Sequence, residues 1–316
     1  MKNNKIPMIC VVGPTASGKT SLSIKLAKLY DGEIVSADSM QIYKGMDIAT
    51  AKPTLDEQDG IVHHMMDFLD INESFSVAQY CDMAHGIIED IHSRSKMPIL
   101  VGGTGLYVDS LINNIAFSEA DSDEALREKL QREYEEFGVE HLLSKLAEFD
   151  EQSAMKLSVE KNVKRIIRAI EVYKTTNITM TEHNENSRRF ESPYKVAKIG
   201  LRATDRQYLY DRINMRVDSM VQNGLIEEAK EFLNKSLSST SSMAIGHKEL
   251  IPYFNSEATL DDCLENLKMQ TRRYAKRQLT WFKRDESICW LDIDVLNENE
   301  ILDTSTLFIK KVLLDE

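Results

Sequence analysis

Strand and helix patterns alternate along the first third of the chain. The stretches 6–12 and 99–101 are apolar throughout, which is typical of strands buried on both faces of a parallel sheet. A shorter strand pattern covers residues 33–38, and helical patterns cover residues 18–30 and 75–94. Because strands alternate with helices, the sequence predicts an α/β fold built on a parallel sheet.

The pattern changes near Ser118, where strands give way to highly charged helical sequence. Residues 123–157 and 159–176 follow helical spacing, and a strand pattern returns at residues 195–201. We therefore predict a P-loop NTPase-like core formed by residues 1–118 and 193–316. An all-helical insertion domain of two or three helices is predicted at residues 119–192.

A glycine-rich segment with the pattern G-x-x-x-x-G-K-[ST] lies between the first strand and the first helix. Its backbone N–H groups can surround a phosphate, its lysine adds a positive charge, and its threonine hydroxyl can hold Mg²⁺. The helix that follows directs its positive end at the same anion. An accidental glycine-rich turn is the alternative, but the flanking strand and helix favour a phosphate site. The segment consists of Gly13, Pro14, Thr15, Ala16, Ser17, Gly18, Lys19 and Thr20.

Two more polar groups follow predicted strands at the edge where open α/β sheets bind ligands. Asp38 ends the second strand, and Thr104 lies in a Gly-Gly-Thr-Gly turn after the strand at residues 99–101. Alone, Asp38 is better explained as a turn or helix-capping aspartate, whereas the glycine turn is explained equally well as a tight turn or as a ligand contact. Their neighbourhood decides between these interpretations.

The helix that begins near Leu260 is unusually basic for a chain of net charge −12. Its cations are interleaved with aromatic side chains that can stack on bases, a combination that suits a polyanion such as RNA. A solvated helix paired to acidic neighbours is the alternative. The cations are Lys268, Arg272, Arg273, Lys276, Arg277, Lys283 and Arg284.

Several classes of protein are disfavoured. The four cysteines are scattered without a C-x-x-C pattern, which argues against a zinc site or a disulfide framework. The adjacent His63 and His64 cannot both face one ion, so polar contacts in the core or near the ligand are the favoured interpretation. No apolar run is long enough to span a membrane, and no signal peptide is recognised. We expect a cytoplasmic monomer.

Together these motifs resemble the bacterial tRNA dimethylallyltransferase family, also called tRNA isopentenyltransferases. The resemblance rests on motifs that follow one another in the family's order. These are residues 13–20, Asp38-Ser39-Met40-Gln41-Ile42-Tyr43-Lys44-Gly45-Met46-Asp47-Ile48, Thr50-Ala51-Lys52-Pro53, Gly102-Gly103-Thr104-Gly105-Leu106-Tyr107, and residues 271–282. The resemblance implies transfer of a dimethylallyl group from dimethylallyl diphosphate to N6 of an adenosine beside the anticodon, with Mg²⁺ as cofactor.

The same resemblance assigns roles to particular residues. Asp38 is the implied general base, Thr104 contacts the reacting region, and Lys19 and Arg216 support the diphosphate. The anticodon stem-loop of tRNA is the implied partner of a larger set. This set contains Asp38, Ser39, Met40, Gln41, Thr104, Arg127, Lys164, Arg165, Ile166, Ile167, Arg168, Met243, Ala244, Ile245, Gly246, His247, Lys248, Arg272, Arg273, Lys276 and Arg277.

Two positions depart from the family pattern, and three other functions remain open. Ala49 replaces a glycine, and His247 stands where a tyrosine is common. A P-loop kinase or NTPase would use the same phosphate loop on ATP. An RNA-binding module without catalysis would explain the basic helix but leave Asp38 unused. An adenylate isopentenyltransferase would act on a free nucleotide and would need neither the basic helix nor the insertion.

Overall fold

The structure is a computed structural model that describes residues 5–117, 123–187, 191–233 and 235–314. Its strands are β1 (Ile6–Val12), β2 (Gly32–Ser36), β3 (His63–His64), β4 (Met97–Gly102), β5 (Tyr194–Arg202) and β6 (Cys289–Asp292). Its helices are α1 (Lys19–Leu29), α2 (Leu55–Gln58), α3 (Val77–Ser93), α4 (Gly105–Ile112), α5 (Glu124–Phe137), α6 (Val139–Ala147), α7 (Glu151–Glu160), α8 (Val163–Thr176), α9 (Met180–Ser187), α10 (Arg206–Gln222), α11 (Leu225–Phe232), α12 (Ile251–Phe254), α13 (Leu260–Phe282) and α14 (Glu298–Leu313). Short 3-10 turns occur at Ser241–Met243 and Lys248–Leu250.

The six strands form one sheet in the order β3-β2-β4-β1-β5-β6, and all their pairings are parallel. Ile9 of the central strand β1 pairs with Ile99 of β4 on one side and with Ala197 of β5 on the other. All three side chains are completely buried, as expected for a strand covered by helices on both faces. The predicted parallel α/β fold is confirmed.

The chain divides into two compact units, one of residues 1–112 and 192–316 and the other of residues 113–191. We call them the core unit and the insertion. The boundary predicted between residues 118 and 119 lies outside the described residues. In the described ranges, no helix is both long and apolar enough to cross a membrane.

The insertion contains five helices among its described residues, α5 to α9, where two or three were predicted. Gly138, with φ 80°, separates α5 from α6. Lys161 ends α7 in the left-handed conformation, and the Asn162 side chain then caps α8 by accepting the N–H of Arg165. The predicted helix at 159–176 therefore begins only at Val163.

The adjacent histidines at the edge strand β3 make separate polar contacts. The Nε2 atom of His64 lies 2.8 Å from Oε2 of Glu33, and Nδ1 of His63 lies 2.9 Å from the carbonyl oxygen of Ile61. Glu33 also accepts hydrogen bonds from the guanidinium of Arg94 at 2.6 and 2.9 Å. These contacts agree with the predicted polar role within the fold.

Candidate active site

The carboxyl ends of three neighbouring strands, β2, β4 and β1, bring the predicted polar groups to one edge of the sheet. A cavity of about 380 Å³ opens there, lined by Lys19 and Thr20 after β1, Asp38 after β2, and Gly103 after β4. Arg216 from α10 adds a second cation to the lining beside Lys19. The parallel topology thus gathers residues that are far apart in sequence.

The phosphate loop, residues 13–20, is held in a tight curve. Ala16 and Gly18 adopt left-handed conformations with φ 62° and 93°. The Lys19 ammonium donates to the carbonyl of Pro14 at 2.7 Å, and Nε of Arg212 donates to the carbonyl of Ala16 at 2.8 Å. Two of the loop carbonyls are thereby occupied, while helix α1 starts directly at Lys19 and no side chain caps its first N–H groups. Such a helix start favours an anion.

Positive charge is concentrated at this site, and no described acidic side chain forms a hydrogen bond with Lys19 or Arg216. Burial and the nearby Arg216 guanidinium lower the pKa of Lys19 to about 7, although Asp38 opposes the shift. Burial also lowers the pKa of Arg216, again against the attraction of Asp38. The Arg216 guanidinium makes Lys19 harder to protonate, so a bound anion would stabilise the charged form of Lys19.

Asp38 has a structural role and leaves one oxygen for chemistry. Its Oδ1 accepts the N–H of Met40 at 2.9 Å, the contact expected of a turn aspartate. No described residue forms another hydrogen bond with its carboxylate. The Thr104 hydroxyl accepts the N–H of Ser39 at 3.1 Å, and the Thr104 N–H donates to Ala37 at 3.1 Å. The turns after β2 and β4 are therefore fastened to each other.

Gln278 on α13 was not predicted and connects the phosphate loop to the glycine turn. Its buried side-chain amide accepts the N–H of Thr15 at 2.9 Å and donates to the carbonyl of Gly103 at 3.1 Å. A Cβ atom at Gly103 would overlap Gln278, and one at Gly105 would overlap the ring of Trp281. The Gly-Gly-Thr-Gly turn therefore lets α13 approach the sheet edge closely. The glycines of this turn were the sequence signal that another part of the chain approaches it closely.

The predicted basic residues of α13 divide into paired and unpaired groups. Lys268 forms ion pairs with Asp218 and Glu265, and Arg272 donates to Asn214 at 2.7 Å. Three others are exposed and make no ion pair with any described residue: Arg273, Lys276 and Arg277. The Arg277 guanidinium lies 5.5 Å from the ring of Tyr274.

The prediction that seven cations share one helix is wrong for two of them. The helix ends at Phe282, so Lys283 and Arg284 follow its last residue. The Arg284 guanidinium lies 5.3 Å from the ring of Trp281. The basic sequence therefore continues past the end of the helix.

The predicted tRNA-contacting segment 243–248 borders the cavity, but not with every side chain. Met243, Ala244, Ile245, Gly246 and Lys248 line it together with Ser39, Met40 and Gln41. His247 is buried, stacks on Phe232 at 4.6 Å between ring centroids, and pairs with Glu228. Its side chain therefore serves the local fold.

Within the insertion, the predicted RNA-contacting residues also differ in exposure. Ile166 and Ile167 are buried in the insertion's hydrophobic core, so their side chains serve packing and are not presented to RNA. Arg127 and Arg168 bind the fully buried Glu171 at 2.8 and 2.7 Å.

Two other cations of the same predicted set are exposed. The guanidinium of Arg165 pairs with Glu160 at 2.5 Å, while Lys164, on the same helix, forms no ion pair with any described residue. Both side chains remain accessible on the surface of α8.

A second, wider cleft of about 1010 Å³ reaches the phosphate loop from another direction. It shares Lys19, Thr20 and Arg216 with the first cavity, and it adds Lys25, Lys52 and Arg212. The first cavity contributes Asp38 and a lining of apolar side chains, including Val217 and Leu267. The cationic centre is thus reachable from two sides.

The parallel sheet, the phosphate loop after its central strand and the facing arginines define a P-loop protein of the α/β class. Residues 41–285 match the family model described as IPP transferase, and the chain belongs to this family.

Similar proteins agree with this assignment over nearly the whole chain. A tRNA dimethylallyltransferase of Acetivibrio thermocellus is 46% identical over 295 residues, which covers 93% of this chain and 94% of that protein. The Bacillus subtilis protein of the same name is 46% identical over 294 residues, 93% of each chain.

Two solved structures are also similar. The full-length tRNA isopentenylpyrophosphate transferase of Bacillus halodurans has a TM-score of 0.72 at 42% identity, covering 98% of this chain and 97% of that one. A eukaryotic dimethylallyltransferase acting on tRNA has a TM-score of 0.77 at 28% identity, covering 98% of this chain and 77% of that one.

Proposed function

We propose that the protein transfers a dimethylallyl group from dimethylallyl diphosphate to N6 of an adenosine adjacent to the anticodon of tRNA, releasing diphosphate. The observation that carries the proposal is the cationic centre of Lys19 and Arg216, which faces the Asp38 carboxylate across one cavity and is reachable from two sides. Family membership supports it, because relatives at 46% identity are named for this reaction.

The phosphate loop acts as a leaving-group site. When the allylic C1–O bond breaks, its electron pair stays with the diphosphate. The N–H groups of the phosphate loop, with Lys19 and Arg216, stabilise that developing charge. This use of a P-loop requires no cleavage of ATP.

Asp38 acts as the general base. The adenine N6 forms a bond to C1 of the dimethylallyl group while Asp38 accepts the proton that N6 loses. The free carboxylate oxygen of Asp38 is suited to that role because Met40 occupies only the other one. Thr104, fastened to the Asp38 turn through Ser39, orients the reacting region.

The donor atoms at the site fit a magnesium ion bound with the diphosphate. Thr20 offers a hydroxyl, which is a hard oxygen ligand, and no group of three or more metal-binding side chains occurs among the described residues. Mg²⁺ commonly uses few protein ligands and takes the others from substrate phosphates and water. When bound, it would neutralise charge on the diphosphate. Thr20 is the residue that would hold it.

The exposed cations of α13 supply the RNA contact in this proposal. Arg273, Lys276 and Arg277 lie on the helix whose Gln278 reaches the phosphate loop. An adenosine in an anticodon loop can be turned out of its stack at little cost, which gives a cavity access to N6. We infer that the insertion contacts the anticodon stem through Lys164 and Arg165, and that the enzyme acts as a cytoplasmic monomer.

The test is transfer of label from dimethylallyl diphosphate in the presence of Mg²⁺, with unmodified tRNA, free AMP or ATP offered in parallel. The expected result is label on tRNA alone. Label on AMP alone would reassign the enzyme to free nucleotides, and phosphate release from ATP without prenyl transfer would make it a kinase or NTPase.

Replacement of Asp38 by Asn tests the role of the base. The variant keeps the size of the side chain and one oxygen for Met40, so we expect transfer to fall by about a hundredfold or more while tRNA affinity stays within about twofold. Unchanged transfer would remove Asp38 from the mechanism. Loss of tRNA affinity alone would make it a recognition residue.

A further inference from the structure

Glu228 on α11 is a carboxylate with a side chain only 9% exposed and no part in the chemistry above. Its Oε2 accepts the backbone N–H groups of Asp47 at 2.9 Å and Ile48 at 2.7 Å. Its Oε1 accepts the N–H of Ala49 at 3.0 Å and lies 2.8 Å from Nε2 of His247. One side chain therefore binds two segments that are far apart in sequence.

Both segments are walls of the cavity that contains Asp38. The first, which we call the clamped loop, comprises residues 47–51, of which residues 49–51 line the cavity. The second is the segment 243–249, which lines it with every residue except His247. Gln41, three residues after Asp38, donates to the Thr50 and Ala51 carbonyls at 3.3 and 3.4 Å. The position of the clamped loop is therefore linked to the turn that carries the base.

The two walls touch where the chain departs from its family's pattern. A Cβ atom at Gly246, which has φ 124°, would come within 2.7 Å of the Ala49 Cβ. The methyl group of Ala49 therefore already occupies the space between the walls. Small changes in their separation cannot be absorbed by an open gap.

The arrangement requires an ionised carboxylate. Burial raises the pKa of Glu228, but hydrogen bonds from His247 and from the amides of Ile48 and Ala49 lower it below its usual range. Four donors converge on its two oxygens, and only a carboxylate has acceptors for all of them. The fourth donor is the His247 ring, which is held in place by its stacking on Phe232.

We propose that Glu228 is a positioning residue for the acceptor nucleoside: it sets the separation of the clamped loop and the segment 243–249, and thereby the opening through which the base reaches Asp38. This inference rests on the proposed function. The phosphate loop is fixed by Arg212 and Gln278, not by Glu228. The two substrates should therefore respond differently when Glu228 is changed.

Replacement of Glu228 by Gln tests the clamp directly. Glutamine has one acceptor oxygen, so in either orientation its NH₂ group faces at least one backbone N–H of the clamped loop. We expect hydrogen exchange of the amides of residues 47–49 to accelerate by about tenfold or more. Glu227→Gln, which removes an exposed charge from the same helix, is the matched control and should leave this exchange unchanged.

Kinetics then separate positioning from general support of the fold. For Glu228→Gln we expect the KM for unmodified tRNA to rise by about tenfold, while the directly measured affinity for dimethylallyl diphosphate stays within about twofold. His247→Phe keeps the ring stacked on Phe232 but loses the donor to Glu228, so the KM for tRNA should rise by less than in Glu228→Gln. His247→Tyr supplies a hydroxyl donor and should restore the wild-type KM.

Two results would overturn the inference. One is unchanged exchange and KM in both Glu228→Gln and His247→Phe. The other is an equal loss of diphosphate and tRNA affinity, which would make Glu228 a support of the whole site. If the wild-type protein transferred no dimethylallyl group to tRNA, the proposed function would fail, yet the exchange experiment would still decide whether the clamp exists.

Discussion

Two cations of the insertion and two of the core unit look alike in the sequence, but they contact different groups. In the insertion, Arg127 and Arg168 both bind Glu171, which is fully buried. In the core unit, Lys19 donates to the backbone carbonyl of Pro14, and Arg277 on α13 is exposed beside an aromatic ring. An acid neutralises the first pair, whereas no described acid forms an ion pair with either member of the second.

This difference separates cations that stabilise the fold from cations that are available to a ligand. A buried carboxylate that binds two guanidinium groups fixes helices against each other and satisfies its own need for donors. A cation without an acidic partner can instead bind phosphate and release counterions. Charge counts alone do not distinguish the two.

The largest expected effect concerns Lys19, the core cation whose pKa is lowered to about 7. A bound diphosphate favours the charged form, so its affinity should be highest below pH 7 and fall by up to about tenfold per pH unit above it. Calorimetry with dimethylallyl diphosphate in buffers of different ionisation enthalpy should show proton uptake at pH 8. Lys19→Arg, charged throughout this range, should lose that component, and equal proton uptake in both proteins would contradict the assignment.

Glu171 gives the next largest effect, on the stability of the insertion. Glu171→Gln weakens charge-assisted hydrogen bonds from Arg127 and Arg168, so the free energy of unfolding should fall by about 2 kcal/mol. Denaturation followed by hydrogen exchange in residues 124–187 measures it. Glu160→Gln, which breaks only the surface pair with Arg165, should cost less than about 1 kcal/mol.

The difference in the free energy of unfolding between the wild-type protein and Glu171→Gln should depend on pH with a definite sign. Burial raises the pKa of Glu171, but hydrogen bonds from Arg168 and Arg127 lower it below its usual value of 4.5. The advantage of the wild-type protein should therefore be complete above pH 4.5 and shrink as the pH falls through the lowered pKa. A difference that grew with acidification would rule out this ion pair as its source.

The smallest effect is expected for the exposed cations of α13. Arg273→Gln combined with Arg277→Gln should weaken tRNA binding by about tenfold and make the slope of log affinity against log salt concentration shallower by about 1.4. Lys310→Gln with Lys311→Gln removes the same charge from α14 and serves as the control. Equal losses in both double variants would show only a response to net charge.

Local patterns predicted the parts of the site that are formed within a few residues. The strand, glycine loop and helix at residues 6–30 follow one another directly, and the position of Asp38 follows from its place at a strand end. The breaks in the insertion were also visible locally, since Gly138 and Asn162 are a helix terminator and a helix cap. The prediction of two or three helices followed the charge and the apolar spacing instead of these two helix-boundary residues.

The remaining contacts could not be predicted because their partners lie far away in the chain. Nothing next to Gln278 indicates Thr15, and nothing next to Glu228 indicates the amides of residues 47–49. Similarly, the sequence shows that Arg127 and Arg168 are cations but not that they share Glu171. Such contacts are determined by packing, which a single sequence does not encode as a local pattern.

The hydrogen bond between Thr15 and Gln278 has a consequence for folding during synthesis on the ribosome. The two residues are 263 positions apart, so the phosphate loop leaves the ribosome long before its supporting amide is made. At ordinary translation speeds the delay is on the order of tens of seconds. Because β5 also follows the insertion, β1 lacks one of its two neighbours for much of that time. The proposed anion site is therefore incomplete on the nascent chain until synthesis is almost finished.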